Sequence, residues 1–159
     1  VTRPKEPDLY GRKLVDAAWT LYGAPKLLKK LKLPARGGTD LKALGQGPFI
    51  GWHKDAETIH AGSWLEAAVP VAAIIYRSNS IINHLSAAKA GIGLAVLPCY
   101  LGDTEPRLKR AMKDPIKTLE RELWIVTHTD LKGTARIRAF LDLVGEGLAA
   151  QRKLFAGIR

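Results

Sequence analysis

Residues 78–98 constrain the fold of this chain more than any other stretch of its sequence. The stretch begins with three polar residues, Ser-Asn-Ser, whose side-chain oxygens can cap the first free amides of a helix. Gly91 can end that helix, because glycine adopts positive φ without a Cβ clash. The apolar run Leu-Ala-Val-Leu at 94–97 then leads to Pro98, as in a strand that is covered on both faces. We therefore predict a helix followed by a buried strand.

The same helix has an apolar face and a polar N-terminus. Ile81, Ile82, Leu85 and Ala88 recur at helical spacing, so they are predicted to face the core. The N-terminus near Ser80 has free amides and the positive end of the helix dipole, which together can bind a small anion. An ordinary helix–strand unit of an α/β core would show the same pattern, so the residues alone leave packing and binding open.

Length and composition limit the class of protein. A chain of 159 residues forms one domain, or two small lobes that share it. Its apolar fraction of 47% and charged fraction of 25% are typical of a water-soluble globular protein. No apolar run is long enough to span a bilayer, and the N-terminus has no signal-peptide pattern. The single cysteine, Cys99, excludes an internal disulfide and fits a buried thiol in a reducing, cytoplasmic compartment.

The formal net charge of +10 raises the possibility of an anionic partner, which could be nucleic acid, a membrane surface or a small ligand. The basic residues form three separate clusters, and the first has no interleaved aromatic side chains on which bases could stack, so they do not resemble one nucleic-acid surface. We interpret the clusters as solvated surface, with the second in a loop followed by a helix. They are Lys26, Lys29, Lys30, Lys32 and Arg36; Arg107, Lys109, Arg110 and Lys113; and Arg136, Arg138, Arg152, Lys153 and Arg159.

Strand-like and helix-like segments alternate along the chain. Strands are predicted at 14–22, 48–52, 71–76 and 122–127, from their β-branched and aromatic content. Helices are predicted at 25–31 and 62–68, with a long amphipathic helix from about Thr134. Residues 33–40 are predicted to be a loop and 41–44 a brief helical turn. This order predicts an α/β sheet rather than a helical bundle or a sandwich.

The sequence carries no catalytic or metal-binding motif. The histidines His53, His60, His84 and His128 lack the spacing of metal ligands, so we expect them to be surface or satisfied polar residues. There is no nucleophile elbow and no phosphate-binding loop. The Gly-Ile-Gly at 91–93 follows a helix and precedes a strand, the reverse of the dinucleotide fingerprint. We therefore expect no enzymatic activity, no cofactor and no metal.

Four ordered blocks resemble the effector-binding domain of LysR-type transcriptional regulators. The hallmark is residues 79–98, with the motif Ala-Ala-Lys-Ala-Gly-Ile-Gly-Leu-Ala-Val-Leu-Pro. Residues 1–4 with 14–24 resemble a strand of the first lobe and the crossover strand after it, and residues 48–52 resemble a short strand at the cleft. Residues 121–131 with 135–141 resemble the return strand and the final helix, so the resemblance covers nearly the whole chain.

This resemblance implies a two-lobed α/β fold similar to type 2 periplasmic binding proteins, with a small anionic effector between the lobes. Residues 20–121 would form the second lobe, and residues 1–19 and 122–159 would form the first. The first lobe would be incomplete, because its opening strand–helix portion would be missing, and the winged helix-turn-helix domain would be absent as well. The chain alone should therefore not read operator DNA, whereas the full-length regulator would be a cytoplasmic homo-oligomer, either a dimer or a tetramer, without membrane contact.

The resemblance also places candidate effector-binding residues on both sides of the cleft. One group is the N-terminus of the second-lobe helix, one is a strand end across the cleft, and one is an arginine of the first lobe that suits a carboxylate. The alternatives are a helix cap, a core tryptophan and a surface arginine. At the level of function, a free-standing solute-binding domain of a transport system is the alternative to a regulator. The candidates are Ser78, Asn79 and Ser80; Gly51, Trp52 and His53; and Arg3.

Overall fold

The computed structural model describes residues 6–32, 47–53 and 60–158, which form two β-sheets with helices packed against them. The strands are β1 (Leu9–Ala17), β2 (Trp19–Gly23), β3 (Phe49–Trp52), β4 (Ile74–Ser78), β5 (Leu94–Pro98), β6 (Lys109–Arg110) and β7 (Arg121–His128). The helices are α1 (Pro25–Lys30), α2 (His60–Ala68), α3 (Ile81–Lys89), α4 (Cys99–Gly102), α5 (Ala135–Ala150) and α6 (Arg152–Phe155). Two 3-10 turns cover Val71–Ala73 and Lys117–Leu119.

The larger sheet has five strands in the order β4-β3-β5-β2-β6. Its strand β3 runs parallel to both of its neighbours, β4 and β5, whereas β2 runs antiparallel to β5 and β6. The smaller sheet consists of β1 and β7, which pair antiparallel. Because β3 and β4 are parallel neighbours, their carboxyl ends meet at the same edge of the larger sheet.

The helix–strand unit predicted from residues 78–98 is confirmed. Helix α3 begins after Ser80 and its C-cap is Ala90, followed by Gly91 at φ 76°, in the left-handed region that favours glycine. Strand β5 is buried at every residue, as expected for a strand covered on both faces. Buried apolar residues form two clusters, one on each side of the larger sheet. One cluster contains Ala87 and Ala88 of α3, and the other contains Leu27 of α1 and Leu65 of α2.

The prediction of one strand over 14–22 is wrong. The chain breaks at Ala18, and the two halves belong to different sheets. The Ala18 amide donates to the Phe155 carbonyl at 2.9 Å, and the Ala18 carbonyl accepts from the Cys99 amide at 2.8 Å. These hydrogen bonds to distant segments take the place of sheet pairing at Ala18, so β1 ends there and β2 starts in the other sheet.

Most other predicted elements are confirmed with small shifts at their ends. Within 71–76 the first three residues form a 3-10 turn, in which the Ala73 amide donates to the Pro70 carbonyl, and the strand starts only at Ile74. The second basic cluster is not a loop followed by a helix, since it contains the short strand β6, which pairs with the end of β2. The predictions at 33–40 and 41–44 lie outside the described residues.

The buried face of α3 differs from the predicted one in a single residue, because His84 is buried in place of Ile82. Ile82 was expected in the core, yet its side chain is 56% exposed. His84 was expected at the surface or satisfied, yet it is fully buried. Ile81, Leu85 and Ala88 do pack inward, so the inward stripe passes through 81, 84, 85 and 88 and leaves Ile82 in solvent.

Candidate functional site

The candidate site lies where the carboxyl ends of β3 and β4 meet the start of α3. Trp52, the last residue of β3, is the register partner of Ser78, the last residue of β4. Ser80 caps α3 two residues later. In open α/β sheets, ligands bind in the crevice outside the carboxyl ends of parallel strands. Pairing of the two strands therefore brings five of the predicted residues together, Trp52, His53, Ser78, Asn79 and Ser80.

Hydrogen bonds around Ser78 hold the turn between β4 and α3. The Ser78 hydroxyl oxygen accepts from the Ser80 amide at 3.1 Å and from the Asn83 side-chain amide at 3.2 Å. The Ser80 hydroxyl oxygen accepts from the Asn83 amide at 3.4 Å, as an N-cap does. Ser78 is buried and Asn79 is exposed, so the turn holds Ser78 within the fold while Asn79 reaches solvent.

The start of α3 has the electrostatics of an anion site. The first intrahelical hydrogen bond runs from the His84 amide to the Ser80 carbonyl at 3.1 Å, so the amides of Ile81 and Ile82 have no partner within the helix. The first turn contains no acidic residue, so no carboxylate of α3 competes for the positive end of the helix dipole. This arrangement can bind a carboxylate or a phosphate through N–H groups and the dipole, without a cationic side chain.

Trp52 is largely buried next to the site, so little of its ring is accessible to a ligand. Its side chain is only 7% exposed, and its ring lies 4.2 Å from the ring of His84, centroid to centroid. On α2, a Cβ added at Gly62 would come 3.1 Å from the Trp52 Cβ, so that glycine permits the close approach. The Trp52 carbonyl accepts from Arg77 Nη1 at 2.7 Å, and the same Nη1 pairs with Glu66 at 2.6 Å.

The other predicted residues differ in how they can contribute. Gly51 is buried in β3 beside β4, where an added Cβ would lie 2.6 Å from Cγ2 of Ile74, so a larger residue requires the sheet to shift. His53 is exposed directly after β3, and its amide donates to the Ser78 carbonyl at 3.2 Å. Arg3 lies outside the described residues. Direct contact of these residues with an effector stays a prediction.

His84 is the residue of this site that the sequence interpretation missed. Its Nε2 lies 2.9 Å from the Ser78 carbonyl oxygen, whereas its Nδ1 is buried without a hydrogen-bond partner. Burial lowers the pKa of His84, against the opposing effect of the Ser78 hydrogen bond. Helical spacing from Ile81 and Ala88 is the signal that could have placed His84 on the buried face.

A depression lies away from this site, on β1 and α5. It has a volume of about 360 Å³ and is lined by Tyr10, Arg12, Lys132, Arg138, Leu141 and Asp142. Arg12 already donates to the Leu141 carbonyl and pairs with Asp142 at 3.4 Å. The Arg12 guanidinium that lines this depression is therefore already paired within the fold.

The described residues offer neither a metal-binding cluster nor a membrane-spanning helix. Among residues 6–32, 47–53 and 60–158, no three His, Cys, Asp or Glu side chains are grouped so that they could hold a metal ion. Within the same ranges, no helix has both the length and the apolar character needed to cross a membrane.

Comparison with solved structures places the fold among regulator domains. The effector domain of AmpR from Pseudomonas aeruginosa has a TM-score of 0.61 and 17% identity, covering 93% of this chain and 68% of that one. The regulatory domain of the LysR-type regulator CrgA from Neisseria meningitidis has a TM-score of 0.64 and 20% identity, covering 92% and 72%. The regulatory domain of CcmR from Synechocystis, solved in complex with 2-PG, has a TM-score of 0.63 and 16% identity, covering 96% and 71%.

These likenesses show the fold, which is the type 2 periplasmic-binding-protein fold that the sequence predicted. They give no support to a transport protein, since all three are domains of regulators. No curated protein sequence matches the chain. The family model described as the LysR substrate binding domain matches residues 1–149. That match covers more than nine-tenths of the 159 residues, so the chain belongs to the family of LysR substrate-binding domains.

Proposed function

We propose that this domain senses a small anionic effector that binds at the carboxyl ends of β3 and β4 and at the start of α3. The observation that carries the proposal is the convergence of the free Ile81 and Ile82 amides, the Ser80 hydroxyl and the exposed Asn79 at one point that has no acidic residue of α3. A regulator of this family would use that binding event to shift between two arrangements of its lobes.

The lobes and partners follow from the same proposal. In this proposal residues 20–121 belong to the second lobe, residues 1–19 and 122–159 belong to the first, and Arg3 is an effector-binding residue of the first lobe. In the regulator, a winged helix-turn-helix domain contacts DNA, and a cytoplasmic homo-oligomer carries the response. The domain itself performs no catalysis. Support comes from the family membership and from the break at Ala18, where the chain passes from the small sheet to the large one.

A thermal-shift titration tests the effector class. The probes are inorganic phosphate, 2-PG and a set of small mono- and dicarboxylates. A ligand at a hundredfold excess over its Kd stabilises the folded state by about 2.7 kcal/mol, so we expect a rise in Tm of about 5 to 10 °C for the best anion. Failure of every anion to raise Tm would contradict the anionic class.

Substitutions locate the site. Asn79→Ala and Ser80→Ala should reduce the anion-dependent rise in Tm by more than they reduce the Tm of the unliganded protein. Thr134→Ala is the matched control, because Thr134 precedes α5 and its hydroxyl donates to Leu131 rather than capping the helix. An unchanged anion-dependent rise in both Asn79→Ala and Ser80→Ala would move the site elsewhere.

A further inference from the structure

His84 is the one histidine that is fully buried among the residues described in the structure. Its ring lies against Trp52, and its Nε2 lies 2.9 Å from the Ser78 carbonyl oxygen. A carbonyl oxygen only accepts, so Nε2 must carry the hydrogen and donate it. Nδ1 of the neutral ring is then a lone-pair acceptor, and it is buried without a donor.

This arrangement is costly, and packing alone does not explain it. A buried polar atom without a partner loses its hydration and gains no hydrogen bond in exchange. A leucine at position 84 would fill similar space between Trp52 and the sheet without that loss. The imidazole is also held neutral, because burial lowers its pKa. The hydrogen bond to Ser78 is therefore the property that a leucine could not supply.

The Ser78 carbonyl is the point at which three parts of the site are joined. It accepts from His84 on α3 and from the His53 amide at 3.2 Å, just after β3. The hydroxyl of the same residue accepts from the Ser80 amide at 3.1 Å. His84 thus ties the second turn of α3 back to the end of β4, and the turn that carries Ser80 is enclosed between these hydrogen bonds.

We propose that His84 is a positioning residue of the effector site, which fixes Ser78 and thereby the turn that presents Ser80 and the free amides of α3. That this site binds an effector rests on the proposed function, but the positioning of the turn is a property of the unliganded domain. His84 acts through Ser78 and has no exposed surface with which to touch the effector.

Two variants separate positioning from packing. His84→Leu removes the hydrogen bond to Ser78 and keeps an apolar side chain of similar shape, while His53 still donates to the Ser78 carbonyl. His84→Gln keeps an N–H donor at a comparable distance along the side chain. Thr20→Val is the matched control, because Thr20 is also fully buried and donates to a backbone carbonyl, that of Asp114, at 3.2 Å.

Amide hydrogen exchange of the unliganded protein under native conditions is the first measurement. We expect the Ser80, Asn83 and His84 amides to exchange about 3- to 10-fold faster in His84→Leu, as for the loss of one hydrogen bond. Exchange at Leu94 to Leu97 should stay at the wild-type rate, and His84→Gln should restore slow exchange. Wild-type exchange at Ser80 and Asn83 in His84→Leu overturns the proposal, and so does acceleration by Thr20→Val at those amides.

Binding of inorganic phosphate and of 2-PG, followed by NMR shifts of the Ile81 and Ile82 amides, is the second measurement. We expect His84→Leu to weaken binding about 3- to 10-fold and His84→Gln to recover it, even where urea unfolding shows His84→Leu to be as stable as the wild type. Equal affinity in wild type and His84→Leu overturns the proposal. If neither anion binds the wild type, the anionic effector class fails, while the exchange rates still decide whether His84 positions the turn.

Discussion

Strand β5 of the five-stranded sheet is buried along its whole length, whereas β7 of the two-stranded sheet has no fully buried residue. The helices differ in the same way. Helix α3 buries His84, Ala87 and Ala88 within nine residues, while α5 buries only Leu141 and Gly145 within sixteen. Hydrophobic burial is the dominant stabilising term in folding, so the larger sheet should supply most of the stability of this chain.

The ion pairs of the two regions differ as well. Arg110 and Asp103, next to the larger sheet, are joined by bonds of 2.5 and 3.0 Å, and both side chains are less than a tenth exposed. Lys13 and Glu122, which link the two strands of the smaller sheet, are joined at 2.8 Å with about 40% of each side chain exposed. A buried pair depends on both partners being present, whereas an exposed pair is screened by water. The comparison therefore predicts unequal costs for similar substitutions.

The largest expected effect is the loss of the buried carboxylate. Asp103→Ala leaves the Arg110 guanidinium with only the carbonyls of Lys113 and Gly157, and it removes the acceptor of the Tyr22 hydroxyl. We expect the free energy of unfolding to fall by about 3 to 5 kcal/mol. Urea denaturation measures it.

The control for that prediction is Glu122→Ala, which removes the carboxylate of the exposed pair. It should leave the urea midpoint close to that of the wild type, because Lys13 still pairs with Asp16 at 2.6 Å and water can replace Glu122 as the acceptor of the Trp124 indole N–H. A similar loss of stability in Asp103→Ala and Glu122→Ala would break the comparison between the two regions.

The second prediction applies the same chemical change to both sheets. Leu97→Ala in β5 removes a fully buried side chain and should lower the free energy of unfolding by about 2 to 5 kcal/mol. Leu123→Ala in β7, where 37% of the side chain is exposed, should change it by no more than about 0.5 kcal/mol. Urea unfolding of both variants checks the difference, and a cost above about 2 kcal/mol at Leu123 would show that β7 is covered by more than the structure describes.

The contrast between the regions also explains what the sequence could predict. Helix α3, the stop at Gly91 and strand β5 rest on local signals, which are oxygen caps, a glycine and an apolar run, and all three are confirmed. The break at Ala18 rests on hydrogen bonds to Phe155 and Cys99, which are 137 and 81 residues away along the chain. No local pattern records such partners, so one strand was predicted where two exist.

The candidate site shows the same limit. The polar residues at 78–80 were found because capping is local, but the pairing of Trp52 with Ser78 depends on strand register. On α3, Ile82 and His84 are about 200° apart, so only one of them can lie on the inward face. Spacing from Ile81 and Ala88 favours His84, whereas apolar character favours Ile82. Packing against the sheet selects the stripe through His84, and that selection is tertiary.

The smallest predicted effect distinguishes the two regions by pH. Burial lowers the pKa of His84 below its ordinary value of 6.5, so the unfolded chain binds a proton there more readily than the folded one. Stability should therefore fall as pH drops below about 6.5 toward the lowered pKa, with a slope of at most about 1.4 kcal/mol per pH unit. His84→Gln should flatten this part of the pH profile.

The stability contributed by the smaller sheet depends on pH in a more acidic range. The hydrogen bond from Lys13, followed by that from Trp124, lowers the pKa of Glu122 below 4.5, so this contribution is present above about pH 4.5 and is lost only as pH falls through the lowered pKa. Urea unfolding between pH 3 and 8 should therefore show that Lys13→Met alters the profile only below about pH 4.5, while His84→Gln already alters it as the pH falls below about 6.5. A profile for His84→Gln that is parallel to the wild type from pH 5 to 7 would mean that His84 is hydrated in solution. The inference that a buried neutral imidazole holds the turn at Ser78 would then be wrong.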